Sequence, residues 1–459
     1  MERLNKYDLP YVFKNPWVYI FLMNNDENSI LIYDIESSTI GSRPNPRKDE
    51  FRLFGCYSYK TNKYHFLTKP RQIKQIIIDH KFLVGFNNKE FDNVMLARMQ
   101  VVADSDVTCI TDFFDKSIYQ GMYTTNKGKC GFKGKITIDL MEIFKKRAGA
   151  MKIKDGILSD LLMHFSLAYI AKTIKLGSYK DENFDYTLLQ EPVELWSPEK
   201  LKKVLDYTRQ DLLVTKEMYE WLEEYFGSFK DFVSQENIDN KSYLTCSTAV
   251  FAYKCLCKEL DIKEEYGEAG LNKDFGGGFV ALPTVLEEHG NILLFDFTSL
   301  YPNLFIMGNL FGNNCICCTE EEKWSGDGFF KVEGKYCSKQ LAPLGTVLKK
   351  FYLMRIEMKK NNDPREYSIK IIINAAYGIV CTSTFQNIYN PVAGSDCTYL
   401  GRTFIRYTRK RFRNEGYKLL LTDTDSISVK LPNDKTKEEA QILADNVTKE
   451  LLSHMPFPW

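Results

Sequence analysis

Two apolar runs that break into carboxylates constrain this chain most. Ile292-Leu293-Leu294-Phe295 ends at Asp296 and is followed at once by Phe297-Thr298-Ser299-Leu300-Tyr301-Pro302. Leu419-Leu420-Leu421-Thr422 breaks into Asp423-Thr424-Asp425-Ser426 and resumes as Ile427-Ser428-Val429. Short apolar runs bounded by turn formers read as strands. Side chains at i and i+2 of an extended segment share a face, so the spacing predicts that Asp423 and Asp425 point the same way. A plain turn is the bland alternative, because Asp, Thr and Ser all favour turns. The apolar residues on both sides favour a hairpin that carries a site. After Asp296, the amides of Ser299 and Leu300 are placed to hold phosphate oxygens. Together the acids suggest one divalent-metal site built from two distant loci.

The segment between those loci supplies cations. Pro343 to Lys360 reads as a helix with Arg355 and Lys359 one turn apart. Asp363-Pro364-Arg365-Glu366 then reads as a second helix start, with Asp as cap, Pro at the first helical position and Glu completing a capping box. This helix is expected to run to about Gly378 and to place Lys370, Asn374 and Tyr377 on one stripe. The short link at Asn361-Asn362 implies an antiparallel hairpin. Arg355 and Lys370 then lie at similar distances from its tip, where two cations can clamp a triphosphate. Cations beside metal ions are what phosphoryl-type transfer requires, since the leaving group accumulates negative charge.

A second acidic constellation occupies the N-terminal third. Ile30 to Glu36 reads as a strand with Asp34 and Glu36 on one face. Gly85-Phe86-Asn87-Asn88-Lys89-Glu90-Phe91-Asp92 places a further carboxylate at a helix start, and Ser197-Pro198 caps a long helix on which Tyr207 and Asp211 share a side. Four acids from three elements can hold two metal ions roughly 3.5–4 Å apart. Each motif alone is weak, and Tyr207 with Asp211 is compatible with a simple surface pair.

In order and spacing these motifs resemble those of the family B DNA polymerases. The resemblance implies a multidomain α/β and α+β fold: an RNase H-like 3′–5′ exonuclease domain (1–225), linker helices (226–285), a palm with antiparallel sheet and helices (286–342 and 381–459), and a two-helix fingers hairpin (343–380). It assigns polymerase metal binding to Asp296, Phe297 and Asp425, with Asp423 as a supporting acid. Nucleotide contacts fall to Ser299, Leu300, Tyr301, Arg355, Lys359, Lys370, Asn374 and Tyr377. Tyr301 matches the residue that excludes a 2′-hydroxyl, and Tyr377 matches one lining the nascent base pair. Exonuclease metal binding falls to Asp34, Glu36, Asp92 and Asp211, with Tyr207 and Lys180 assisting. DNA contacts fall to Asn87, Phe91, Gly277, Gly278 and Thr424. Phe275-Gly276-Gly277-Gly278-Phe279 resembles the Tyr-x-Gly-Gly link of the protein-primed branch, with Phe in place of Tyr.

The cofactors implied are Mg²⁺ or Mn²⁺, two per active site, with deoxynucleoside triphosphates as substrates. Implied partners are primer–template DNA and single-stranded 3′ ends. The intervals from Asp296 to Lys370 and from Asn374 to Asp423 leave no room for the insertions of protein-primed enzymes, so the chain resembles the compact phage members. No thumb follows the second palm motif, which leads to the expectation of a second polypeptide that supplies one, with truncation of a longer chain as the rival reading. A nuclease-only protein and a replication scaffold are the alternatives from other classes.

Composition is compatible with this reading without pointing to it. Lys and Arg total 61 against 60 Asp and Glu, a net charge of +1, so any DNA-binding track is local. Arg402, Arg406, Arg409 and Arg413 form one such candidate stripe, suited to phosphate contacts. No signal peptide or membrane-length apolar run appears, and the 12 cysteines are scattered, which suits a reducing cytoplasm such as that of a phage-infected bacterium. Cys315, Cys317, Cys318 and Cys337 form the one cluster. Lacking Cys-x-x-Cys pairs and a nearby His, they read as ordinary thiols rather than a zinc site.

Overall fold

The computed structural model describes residues 29–39, 44–98, 122–124, 130–132, 134–268, 276–283 and 287–459. Phe275 lies outside the described residues. The chain divides into two compact units, Met1–Ile138 with Asp181–Thr215, and Asp139–Lys180 with Lys216–Trp459. This division differs from the single boundary at 225 read from the sequence. Residues 139–180 join the second unit, and a helix of 30 residues, Pro198–Gly227, contributes to both.

In the first unit β1 (Ile30–Ser38), β2 (Glu50–Ser58) and β3 (Lys63–Leu67) form an antiparallel meander. Beyond β3 come α1 (Pro70–Ile78), β4 (Phe82–Gly85), α2 (Asp92–Arg98) and β5 (Ile136–Asp139). β4 runs parallel to β1 on its free side, giving the order β3-β2-β1-β4-β5. Strand alternation sends Leu31, Tyr33 and Ile35 into a core with Phe54, Ile73, Ile77, Val94 and Leu96. Asp34 and Glu36 therefore belong to the opposite face. The β1–β2 register shifts between Glu36 and Ser37, a bulge of the kind that re-aims side chains beside functional sites. The long helix α3 (Pro198–Gly227) starts as expected, with Ser197 Oγ accepting from the Lys200 amide at 3.2 Å. It lies close over the acidic face. Gly55 pairs with Asp34, and a Cβ at Gly55 would stand 2.4 Å from Thr208 Cγ2.

The second unit contains α4 (Thr248–Leu260), β6 (Val280–Ala281), β7 (Ile292–Asp296) and α5 (Leu300–Met307). These are followed by α6 (Pro343–Lys360), α7 (Glu366–Cys381), α8 (Pro391–Asn414), β8 (Lys418–Asp423), β9 (Ser426–Lys430) and α9 (Lys437–Ser453). The sheet order is β6-β8-β9-β7, with every named pairing antiparallel. One face carries Leu293, Phe295, Ile427 and Val429 and packs on Ile405 and Phe412 of α8 and Ala440 of α9. The other face is open, and Ile292 and Leu294 on it are 47% and 67% exposed. Asp296 shares that open face by alternation.

The helix hairpin forms, but its second helix starts differently from the sequence reading. Asn362 takes the left-handed conformation (φ 54°) after α6, and the Asp363 amide reaches back to the Met358 carbonyl, a Schellman-type end. Asp363 caps no helix; its carboxylate accepts from the Arg365 amide at 2.9 Å and from the Arg365 guanidinium. Nor does Glu366 complete a capping box, because its carboxylate is taken by Arg355 at 3.1 Å. α7 continues past Gly378 to Cys381, and it packs against α4 and α6.

Candidate active sites

The polymerase-type site is assembled by strand pairing. β7 lies beside β9 with Asp296 opposite Ser426, and the Phe297 amide donates to the Asp425 carbonyl at 2.8 Å. β8 and β9 close a tight hairpin at Thr424-Asp425, with Thr424 in the left-handed region at φ 42°. This corrects the sequence argument for Asp423 and Asp425. Asp423 ends a strand while Asp425 sits in the turn, so strand alternation does not relate them. Convergence comes from the turn and from pairing with β7. The outcome is a crowded carboxylate: burial first, then the negative charges of Asp296 and Asp423, push the Asp425 carboxyl above its usual range, while Lys370 opposes the shift. Like charges held together without countercharge are what a divalent cation relieves, and an all-oxygen donor set suits Mg²⁺ or Mn²⁺. The Phe297 ring packs on Phe404 with centroids 5.9 Å apart, which leaves its main chain as the part able to meet an ion.

Some of the residues expected to contact a nucleotide lie near the same acids. Ser299 precedes α5 in the left-handed region at φ 49°, a conformation costly for a residue with a Cβ. It turns the chain so that the first amides of α5, from Leu300 on, have no intrahelical acceptor. Arg355 Nη1 reaches Ser299 Oγ at 3.3 Å, so this cation stands at the helix start. Lys370 is half-buried on α7, and its charge acts on Asp425. Lys359 and Asn374 are exposed. Tyr377 lies against Tyr301 with ring centroids 4.7 Å apart.

Tyr301 is braced on several sides. A Cβ at Gly401 would be 2.9 Å from its Cε1, and one at Gly278 would be 3.1 Å from its hydroxyl. Burial raises the Tyr301 phenol to about 12, so it stays neutral. The Gly276–Phe279 segment passes the hairpin tip: Thr424 donates its amide to the Phe279 carbonyl at 3.0 Å, and a Cβ at Gly278 would be 2.8 Å from Thr424. The expected arginine track is partly used to hold this segment. Arg402 binds the Gly276 and Gly277 carbonyls, and Arg406 and Arg409 lie over the Phe279 ring at 4.9 and 5.3 Å.

In the first unit, carboxylate oxygens of Asp34, Glu36 and Asp211 all lie within 4.8 Å of one another. Glu36 and Asp211 are 5% and 2% exposed. Thr208 donates to Glu36 Oε1 at 2.9 Å, fixing one oxygen. Asp92, at the start of α2, is equally buried at 2% but falls outside that 4.8 Å group. Tyr207 stacks on Phe184 at 3.8 Å and meets the Tyr186 hydroxyl at 3.0 Å. Burial, then Asp211 and Glu36, drive its phenol far above the ordinary range, so it serves only as a neutral hydrogen-bonding group. Asn87 is left-handed at φ 60°, and Phe91 packs at the margin of the core. Lys180 is half-buried and belongs to the second unit.

Sequence reading misses Thr208 and Glu366. The i−3 spacing of Thr208 from Asp211 is a signal for the first, whereas Glu366 is assigned to a cap that the backbone does not form.

Residues 234–456 match the sequence model of DNA polymerase family B. The DNA polymerase of Archaeoglobus fulgidus is 25% identical over 94% of this chain and 53% of its own length. That of Pyrococcus glycovorans is 26% identical over 74% of this chain and 47% of its own. The chain thus spans about half the length of these relatives. Among solved structures, the family B DNA polymerase of the archaeon Pyrobaculum calidifontis superposes with a TM-score of 0.51 at 15% identity, over 92% of this chain and 55% of that one. Through residues 234–456 in sequence, and over most of its length in fold, the chain is similar to the family B DNA polymerases.

Proposed function

We propose that this chain carries a template-directed DNA polymerase site and a separate 3′–5′ proofreading exonuclease site, each served by a pair of divalent ions. The observation that carries the polymerase reading is the joining of Asp296 and Asp425 across β7 and β9, with Lys370 acting on the same carboxylate. Asp296, Asp425 and the Phe297 main chain would hold the ions. Bound there, Mg²⁺ or Mn²⁺ would lower the pKa of a primer 3′-hydroxyl and neutralise charge on the phosphates. The protein's own part is positioning. Arg355 and Lys370 orient the triphosphate, the start of α5 offers amides to it, and Tyr301 sets the space beside the sugar.

For the exonuclease, the supporting observation is the 4.8 Å cluster of Asp34, Glu36 and Asp211; Asp92 is buried at the start of α2 but outside that group. Tyr207 is suited to orient an attacking water, and Lys180 is retained as an assisting cation. Asn87, Phe91, Gly277, Gly278 and Thr424 are proposed DNA contacts.

The test separates the two sites. Asp296→Asn should abolish primer extension while leaving degradation of single-stranded DNA. Asp34→Ala with Glu36→Ala should do the reverse. Loss of both activities in either folded variant contradicts two independent sites.

A further inference from the structure

The segment that joins α5 to α6, residues 308–342, has one 3-10 turn at Gly312–Asn314 and otherwise no helix or strand. Long irregular stretches inside compact units need something other than backbone ladders to hold them. At its C-terminal end Asn309 does this, donating to the Cys337 and Gln340 carbonyls at 2.9 Å each and accepting from the Ala342 amide at 2.8 Å. In its middle the buried Asp396 of α8 accepts from the Glu333 and Gly334 amides, both at 2.8 Å, and from the Tyr336 hydroxyl.

A further anchor is made of sulfur. Cys315, Cys317, Cys318 and Cys337 place their Sγ atoms all within 4.8 Å of one another. Cys317 to Cys337 is 3.3 Å, Cys318 to Cys337 is 3.4 Å, and Cys317 to Cys318 is 3.9 Å. A disulfide has its sulfurs at about 2.0 Å, so none of these pairs is bonded. Four thiolates around one Zn²⁺ at about 2.3 Å stand roughly 3.8 Å apart at tetrahedral angles. The cluster therefore has the dimensions of that cage. It also carries the outer contacts such a cage uses: the Gln340 amide donates to Cys337 Sγ at 3.3 Å, and Ser338 Oγ lies 3.9 Å from Cys318 Sγ.

We propose that Cys315, Cys317, Cys318 and Cys337 bind one structural Zn²⁺ that fastens the α5–α6 connection ahead of α6. Sequence alone argues against zinc, because Cys-x-Cys-Cys lacks the usual paired spacing. What sequence does not show is the fold, which returns Cys337 to the other three. With all four ligands from protein and no open position, the site is structural and takes no part in chemistry. Its place matters because α6 carries Arg355, so the ion steadies the base of the helix that presents a triphosphate contact. Zinc displaces the thiol protons to solvent, and the site is correspondingly weakened by acid.

The experiment is metal analysis of the intact chain, expressed with zinc and dialysed without chelator. About one zinc per chain is expected, released in step with modification of these thiols by a mercurial reagent. Removal by a strong chelator should lower Tm, and re-addition of zinc, but not of magnesium, should restore it. Cys317→Ser and Cys337→Ser should each lose most of the zinc. Should those variants fail to fold, Co²⁺ added to the zinc-free wild-type chain decides the question through its tetrahedral thiolate absorption. A wild-type chain that holds no zinc and gives no such absorption overturns the proposal. So does a disulfide among these cysteines in the freshly purified protein.

Discussion

Glu366, the first residue of α7, grips the Arg355 guanidinium at 3.1 Å, and both side chains are largely sheltered, at 12% and 14% exposure. The pair ties the two helices of the hairpin together and aims Arg355 at Ser299. A charge-assisted contact of this type is worth about 1.5–3 kcal/mol. Arg355→Ala is therefore expected to raise the KM for incoming nucleotide by roughly 10- to 100-fold. Glu366→Gln should produce a smaller rise, since the guanidinium stays but loses its orienting partner. Steady-state primer extension with titrated nucleotide measures both, and an unchanged KM in Arg355→Ala would remove Arg355 from the nucleotide site.

Thr208→Val removes the hydroxyl that holds Glu36 Oε1 while keeping the side-chain volume. Loss of a hydrogen bond to a carboxylate is worth about 1.5–3 kcal/mol. Exonuclease turnover on single-stranded DNA should fall roughly 10- to 100-fold, with extension unaltered. A normal exonuclease rate would show that Glu36 needs no such restraint.

Tyr301 supplies a direct test of sugar selection. Tyr301→Val should let ribonucleotides compete, reducing the ratio of kcat/KM for deoxy- over ribonucleotide by about 100-fold. Gly401→Ala should shift the ratio in the same direction by pressing on the ring from behind, since the new Cβ would sit 2.9 Å from Tyr301 Cε1. Paired kinetics with both nucleotide types decide it; unchanged discrimination in Tyr301→Val would exclude this tyrosine from the role.

Glu223 on α3 governs the acid limit of stability. Burial alone would raise its carboxyl, but Lys241 and Lys230, with the Tyr243 hydroxyl, outweigh burial and bring it down to about 2. A carboxyl depressed on folding stabilises the protein above its ordinary pKa of 4.5 and loses that contribution as pH falls toward about 2. Glu223→Gln should thus lower Tm at neutral pH and flatten its dependence on pH across that acid window. Because Lys241 is only 5% exposed, removing its partner strands a buried charge, a loss of about 3–5 kcal/mol. Thermal melts from pH 7 downward would show it; parallel curves for variant and wild type would contradict it.

The pairing of β7, β8 and β9 was legible because apolar runs ending in acids have few other solutions than paired strands. The Ser197 cap and the helix hairpin were legible for a similar reason: capping residues and helical stripes are local signals. What stayed hidden was tertiary. Glu366 looked like a capping residue until Arg355 from another helix claimed it. Asp425 looked like a strand residue, yet Thr424 turns the chain one position earlier. Arg402 looked like a DNA contact, and its guanidinium is spent on two glycine carbonyls. In each case the sequence shows a group able to bond without showing which partner the fold delivers.

The thread from Gly276 to Phe279 runs between Tyr301 and the β8–β9 hairpin that bears Asp425. Gly278 leaves no clearance toward either Tyr301 or Thr424. A single methyl group added there would disturb substrate choice and turnover in one stroke. A side chain at that position would have to displace Tyr301 and Thr424 together, so substitution there is expected to be poorly tolerated.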